Sequence, residues 1–161
     1  MKKPILIIVA ILVVLVGIRT ILSMGGADDK ALVKAALKES IEASKDGRPG
    51  GVMDKISDKL TVNKEQVASM SQIAKWIRDS KPDVTVTQQE PIILEDEARI
   101  TSPVTIKASF PGGVDLDKTI DGVTLIFAKE SAMDYFIIPA KRWRLKEVLL
   151  PSDVMAQLGP Y

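Results

Sequence analysis

The chain opens with an apolar stretch that leaves no polar side chain on any face of a helix. Residues 4–18 read PILIIVAILVVLVGI and directly follow Lys2 and Lys3. A helix packed on the surface of a globular core is apolar on one face only, so this pattern indicates a segment that meets lipid. Extension to Met24 reaches the ~20 residues that a membrane span requires, with Arg19 placed where its side chain can extend to the headgroups.

The charges around this segment predict its orientation. The two lysines precede it, and Asp28 and Asp29 follow it. The positive-inside rule therefore predicts a single-pass protein of the inner membrane, with a cytoplasmic N-terminus, an anchor and joint over 1–26 and an extracytoplasmic remainder. The alternative is a signal peptide cleaved within 23–27, followed by secretion. Arg19 argues against cleavage, because its charge would lie between the apolar region and the cut.

Downstream of this joint, apolar residues recur every three or four positions, which indicates amphipathic helices. Gly47 ends the first of them, and Pro82 follows the last. The segment from Asn63 to Gln66 has the spacing of a capping box, which predicts a helix N-terminus there. In order, the predicted elements are a helix over 27–46, a short helix over 52–57, a short strand over 59–62 and a helix over 64–80.

From residue 84 the period changes to 2, which is typical of strands. Pro103 interrupts the clearest of them and predicts a bulge or an edge, because proline cannot donate a ladder hydrogen bond. The segments 123–128 and 134–138 are apolar on both faces, so we expect them to form a hairpin covered on both sides. The predicted strands cover 84–87, 98–110, 123–128, 134–138 and 142–150, and a short helix is predicted over 152–158.

Helices followed by a run of antiparallel strands indicate an α+β domain over 27–151, with a short tail over 152–161. This order of elements resembles the nuclear transport factor 2-like (NTF2-like, or cystatin-like) family. The ending Arg142-Trp143-Arg144-Leu145 is similar to the last strand of that family. The resemblance implies a cone of about three helices packed on a curved, mainly antiparallel sheet. The matching segments are 32–46, 52–62, 66–80 and the strands up to Leu150.

Composition excludes several classes of function. The ~135 residues after the anchor suffice for one domain with a modest core. Three of the 22 Lys and Arg residues belong to the anchor, which leaves 19 against 21 Asp and Glu, a poor match to a nucleic-acid binder. The chain has no His and no Cys, so it offers neither a Ser-His or Cys-His pair nor thiol chemistry. We therefore expect no enzyme, no cofactor and no metal site.

Aromatic residues mark the candidate pocket. The resemblance implies that catalytic members of the family use a His, Asp or Tyr inside the cone. Asp134 and Tyr135 could supply an Asp-Tyr version, but neighbours on a strand point to opposite faces. We interpret the aromatic side chains mainly as core, and we expect them to line a pocket if one exists. These candidates are Trp76, Phe127, Tyr135 and Trp143.

Two charged stretches complete the candidates. Residues 115–122 (DLDKTIDG) resemble a calcium-binding loop, but the glycine falls at the wrong position and no Glu follows at the twelfth, so we interpret them as a solvated loop. The last strand carries a basic cluster that could contact an anionic partner or anionic lipid, although a solvated face paired with Glu147 or Asp134 is the simpler interpretation. The cluster consists of Lys141, Arg142, Arg144 and Lys146.

The sequence thus favours a membrane-anchored, extracytoplasmic, non-catalytic module that binds a protein partner or assembles as a homodimer. It would contact the lipid bilayer through residues 4–24. The alternative is a domain that binds a small ligand, or acts as an enzyme, through a pocket in the cone.

Overall fold

A computed structural model describes residues 26–66, 69–110, 112–134 and 138–154. The predicted membrane segment 4–24 and Tyr135 lie outside the described residues. Within the described ranges, no helix has both the length and the apolar character needed to cross a membrane.

Three helices and seven strands of the described residues follow the predicted α+β order. The helices are α1 (Gly26–Lys45), α2 (Pro49–Met53) and α3 (Met70–Ser80). The strands are β1 (Ile56–Val62), β2 (Glu65–Gln66), β3 (Asp83–Val86), β4 (Ile92–Leu94), β5 (Glu97–Phe110), β6 (Val114–Asp134) and β7 (Ile138–Leu149).

The first helix ends where the sequence predicts. Gly47 has φ +67, a conformation that favours glycine, and its N–H donates to the carbonyl of Ser44 at 2.9 Å. The N–H of Arg48 donates to the carbonyl of Ala43 at 2.8 Å. This pair of bonds is a Schellman ending, which satisfies carbonyl groups that the helix itself leaves free.

The prediction that a helix begins at Lys64 was wrong. Asn63 and Lys64 both have positive φ, 49 and 72, and form the two-residue turn of a β1–β2 hairpin. The Asn63 side chain bonds both backbone groups of Leu150, accepting from its N–H at 2.7 Å. Its amide therefore serves the end of β7 and not a helix, and α3 begins later, with Ser69 as its N-cap accepting from Gln72.

One seven-stranded sheet carries the fold, in the order β2-β1-β7-β6-β5-β3, with β4 also paired to β5. The β1–β7 pair is parallel and every other pair is antiparallel. This confirms the α+β class and the mainly antiparallel sheet.

The 21-residue strand β6 runs through two segments that the sequence analysis predicted to be loops. Residues 115–122 are strand and not a solvated loop, and residues 129–133 are strand and not a hairpin tip. The β5–β6 register shifts opposite Pro103, which confirms the predicted bulge. Gly122 (φ +71) supplies the extra residue on β6, so Ile120 and Val123 face the same side of the sheet despite their odd spacing.

Two clusters of buried apolar side chains hold the helices to the sheet. The larger one packs α1 on the face that we call the helix face, and it includes Val33, Leu37, Ile100, Leu125, Phe127 and Trp143. The smaller one joins all three helices to β1 and includes Ala43, Val52, Ile56, Leu60 and Ile77, with Trp76 packed against it.

Neighbouring glycines in α2 give a matched test of the packing between α1 and α2. A Cβ at Gly51 would lie 2.7 Å from Cβ of Ala43, whereas a Cβ at Gly50 would meet nothing within 4 Å. We expect Gly51→Ala to lower the free energy of unfolding by about 1–3 kcal/mol, and Gly50→Ala to leave it equal or slightly higher. Urea denaturation of the two variants measures this, and equal midpoints would contradict the close approach.

Candidate functional site

The first turn of α1 carries a buried carboxylate. Asp29 is 7% exposed, and both of its oxygens accept hydrogen bonds. The Lys129 ammonium donates to Oδ2 at 2.9 Å, and the Trp143 indole N–H donates to Oδ1 at 3.1 Å. We call these three residues the Asp29 cluster. It joins the N-terminal end of α1 to β6 and β7.

Strand register explains how the cluster forms. Lys129 lies opposite Trp143 in the β6–β7 ladder, so both side chains stand on the helix face. The Lys129 ammonium also lies 5.2 Å from the centroid of the Trp143 ring, a cation–π contact. Because the Lys129 and Asp29 side chains are only 13% and 10% exposed, their ion pair is weakly screened by solvent.

The sequence patterns above present Asp29 only as a charge that flanks the anchor. The sequence nevertheless contains a signal for the buried role of this residue. Asp29, Val33 and Leu37 are four residues apart, so the carboxylate lies on the same stripe of α1 as two core residues. An acidic residue on an apolar stripe needs a buried partner. The sequence does not reveal which of the many Lys and Arg residues that partner is.

A second polar group lies back to back with the Asp29 cluster, on the outer face of the sheet. Glu130, the neighbour of Lys129, accepts a 2.5 Å hydrogen bond from Ser57 and lies 3.7 Å from the Arg144 guanidinium. Ser57 is 2% exposed, and the buried Nε of Arg144 has no hydrogen-bond partner among the described residues. The β6–β7 ladder is therefore polar on both faces at the level of Lys129 and Glu130.

The predicted basic cluster is partly engaged within the domain. Arg144 pairs with Glu130, and Lys146 donates to Glu97 at 3.3 Å, so these two side chains meet acidic partners that the sequence did not predict. Arg142 is half-buried and also makes an interaction. Lys141 is exposed. Lys146 is exposed as well, so two of the four cationic side chains are open to solvent.

The candidate pocket residues separate into two places. Phe127 and Trp143 belong to the main core and are 2% and 3% exposed. Trp76 packs against the smaller cluster and is half-buried. Tyr135 lies outside the described residues. The structure therefore brings together two of the four aromatic residues, and both fill the core.

A shallow groove of about 500 Å³ lies where α3 ends beside the β5–β6 turn. Seven of its nine lining residues are polar or charged, and Lys107 already pairs with Asp117 at 3.4 Å while Ser109 donates to Asp115 at 2.7 Å. Lys129 is twelve positions from Asp117 along β6, so the groove and the Asp29 cluster are roughly 40 Å apart along the strand. No group of three or more acidic side chains in the described ranges is arranged to hold a metal ion.

The outer face of the sheet combines polar pairs with an exposed apolar edge. Threonine hydroxyls pair across β5 and β6, Thr101 with Thr124 at 3.0 Å and Thr105 with Thr119 at 2.8 Å. At the side of this face, β4 pairs with no strand other than β5 in the described part of the chain, and Ile92 and Leu94 are 66% and 50% exposed. We call the strand carrying these two side chains the β4 edge.

Known structures share this architecture. An NTF2-like superfamily protein from Salmonella enterica serovar Typhimurium aligns with a TM-score of 0.57 at 13% identity, over 79% of this chain and 92% of that one. A putative calcium/calmodulin dependent protein kinase II association domain from Xanthomonas campestris aligns with a TM-score of 0.50 at 19% identity, over 80% and 90%. A ketosteroid isomerase-like protein from Erwinia carotovora atroseptica aligns with a TM-score of 0.50 at 14% identity, over 74% and 92%.

At these low identities the likeness concerns the fold alone, and it confirms that the domain has an NTF2-like fold. No protein-family model and no curated protein sequence matches the chain.

Removal of one member of the Asp29 cluster tests its energetic weight. Asp29→Asn leaves the Lys129 ammonium buried without its counter-charge, so we expect a loss of about 2–4 kcal/mol in the free energy of unfolding. The double variant with Lys129→Met should recover more than half of that loss. Asp117→Asn, in an exposed pair, should cost less than about 0.5 kcal/mol. A small effect of Asp29→Asn, equal to that of the exposed pair, would contradict the assignment.

A second ion pair joins α1 to the loop between β3 and β4. Lys34 donates a hydrogen bond to Glu90, which lowers the pKa of that carboxyl below its ordinary value, and the nearby charge of Lys30 acts in the same direction. Because the folded pKa is depressed, the pair stabilises the fold above the unfolded pKa, and this contribution is lost as pH falls through the folded value.

We expect Lys34→Gln to raise the pKa of Glu90 toward its ordinary value. Lys38→Gln is the matched control, since Lys38 lies one helical turn further along α1 and pairs with Glu42. NMR titration of the Glu90 carboxyl in both variants makes the comparison. An unchanged Glu90 pKa in Lys34→Gln would show that the pair does not form.

Proposed function

We propose that this NTF2-like domain is a non-catalytic module that assembles with protein on the extracytoplasmic side of the inner membrane, where residues 4–24 tether it. The observation that carries the proposal is the β4 edge. It combines exposed apolar side chains with a strand that, among the described residues, pairs with β5 alone.

The state of Asp29 supports a non-catalytic role. A general base needs a lone pair within reach of a substrate proton. Both oxygens of Asp29 already accept hydrogen bonds, from Lys129 and Trp143, and the carboxylate is buried. The chain also has no His and no Cys to act in its place.

The alternative function would use a pocket in the cone. One structural neighbour is described as ketosteroid isomerase-like, so the fold is compatible with such a pocket. In this chain, Phe127 and Trp143 pack tightly in the core on the helix face, and the groove of about 500 Å³ lies at the far end of β6. These positions favour assembly over ligand binding in the cone.

The β4 edge has the features of an association surface. Ile92 lies opposite Arg99 and Leu94 lies opposite Glu97, so both apolar side chains stand on the outer face, while Ile93 between them packs against the core. An edge strand presents backbone groups that can pair with another strand, and exposed apolar neighbours add buried area to that contact. A structural neighbour is described as an association domain, which agrees with this use of the fold.

We expect the full-length chain in detergent to self-associate, and the double variant Ile92→Lys/Leu94→Lys to be monomeric, because two charges would be buried in the contact. Leu32→Lys is the matched control, since Leu32 is 42% exposed on α1, away from this edge. Sedimentation equilibrium in density-matched detergent measures the association. A wild-type chain that is monomeric at every concentration, or equal loss in the control, would contradict self-association through the β4 edge.

The tether has its own test. We expect the full-length chain to stay in the membrane pellet after carbonate extraction, and added protease to digest the domain in spheroplasts with intact membranes. Replacement of Ile8 and Val9 by aspartate should release the chain from the pellet. A wild-type chain that carbonate releases, or a domain that protease reaches only after lysis, would overturn this part of the proposal.

A further inference from the structure

The chain enters the domain beside one particular end of the sheet. Helix α1 begins at Gly26, two residues after Met24, the end of the proposed span. Three residues later, Asp29 is bound to Lys129 of β6 and Trp143 of β7. Whatever holds residues 4–24 therefore lies close to the Lys129–Trp143 pair of the β6–β7 ladder.

Beyond this point, β6 and β7 continue without other strands. The β5–β6 pairing ends where Glu97 meets Ala128, and the β1–β7 pairing ends where Ile56 meets Leu145. The ladder itself goes on from Lys129 opposite Trp143 as far as Asp134 opposite Ile138. We call residues 129–134 and 138–143 the β6–β7 arm; in the described ranges, its strands pair only with each other, apart from the N–H of Lys129 at the base, which donates to the carbonyl of Asp96 at 2.9 Å.

The direction of α1 shows where the arm leads. From Asp29 the helix runs to Lys45, which donates to Asp83 at 2.8 Å. Asp83 pairs with Lys107, and Lys107 pairs with Asp117 of β6. From its first turn to its last, α1 therefore runs along the sheet from the level of Lys129 toward the level of Asp117. Since β6 positions above 129 continue the other way, the arm extends toward the side from which the chain enters.

The arm is long enough to reach the bilayer in which the proposed tether lies. The three residues from Gly26 to Asp29 rise about 5 Å in α1, whereas the five steps of the arm beyond Lys129 extend roughly 17 Å. The arm therefore extends farther than the first residue of α1, from which the chain leads back to the proposed span. A two-stranded ribbon of this kind is also marginally stable alone, so it needs a surface to lie on.

We propose that the β6–β7 arm lies against the headgroup layer of the bilayer that holds the anchor, so that the groove end of the sheet faces away from the membrane. This inference rests on the proposed tether. Lys30 and Lys141 are exposed at this end and suit anionic headgroups, while Glu95 and Asp96 in the adjacent turn oppose them. The geometry, and not the charge, therefore carries the proposal.

The absence of cysteine allows a clean test with the full chain. Ser131→Cys places a fluorophore on the arm, and Ser109→Cys places one at the opposite end of the sheet; both serines are exposed. Each labelled protein is reconstituted into vesicles of phosphatidylcholine and phosphatidylglycerol, with and without a lipid that carries a quenching nitroxide on its headgroup. Flotation confirms that the protein is bound, and circular dichroism confirms that it is folded.

We expect the headgroup quencher to reduce the Ser131 label's emission at least twofold and to leave the Ser109 label within a tenth of its unquenched value. A chain that floats while its Ser131 label is quenched no more than its Ser109 label would overturn the arm's placement and leave the tether intact. A chain that does not float with the vesicles would refute the tether, and the arm's placement with it.

Discussion

The arrangement of the whole domain depends on a carboxylate that is buried where the first helix meets the sheet. Burial of a charge is unfavourable unless the charge is paired and hydrogen-bonded, so Asp29 is stable at its position only with Lys129 and Trp143 beside it. An apolar contact would tolerate small shifts of α1 along the sheet, but an ion pair with two directed hydrogen bonds tolerates few. The cluster therefore fixes the register of α1, and Val33 and Leu37 then meet the core in one way.

The sheet contributes a second constraint through the length of β6. Its 21 residues pair with β5 over the first part and with β7 over the second, so a single strand carries contacts at both ends of the domain. The bulge at Gly122 makes this possible, because it corrects the alternation of side chains midway and keeps Ile120 and Val123 in the same core. Because β6 is one long strand, the open groove and the buried Asp29 cluster lie far apart along it.

Local patterns predicted those elements whose signals come from their own residues. The apolar stripe and Gly47 predicted α1 within one residue at each end, alternation predicted β5, and Pro103 predicted the bulge. The predictions failed where one local sequence pattern is compatible with two structures and tertiary contacts select between them. Asn63 is equally suited to a helix cap and to a turn with positive φ, and its bonds to Leu150 select the turn. Asp121-Gly122 is typical of a loop, and only pairing with β5 makes it a bulge.

The candidate site was harder to predict than the fold. Aromatic content pointed to Phe127 and Trp143, which do lie together, but their environment is a filled core joined to a buried ion pair. The β4 edge was not predicted, because three residues are too few to show a period. The apolar run Ile92–Leu94 also does not reveal which of its side chains are exposed. Exposure and partner choice depend on contacts distant in sequence, which one chain read alone does not specify.

The most direct test of this account is the NMR signal of the Trp143 indole N–H. The chain has only two tryptophans, so the indole region should contain two resonances, and Trp76 provides the internal comparison. If Trp143 donates to a buried Asp29, its indole proton will exchange with solvent at least tenfold more slowly than that of Trp76, and Asp29→Asn will change the shift and exchange of that resonance alone. Equally rapid solvent exchange of both indole protons, or a Trp143 resonance that is unchanged by Asp29→Asn, would contradict the claim that this carboxylate organises the domain.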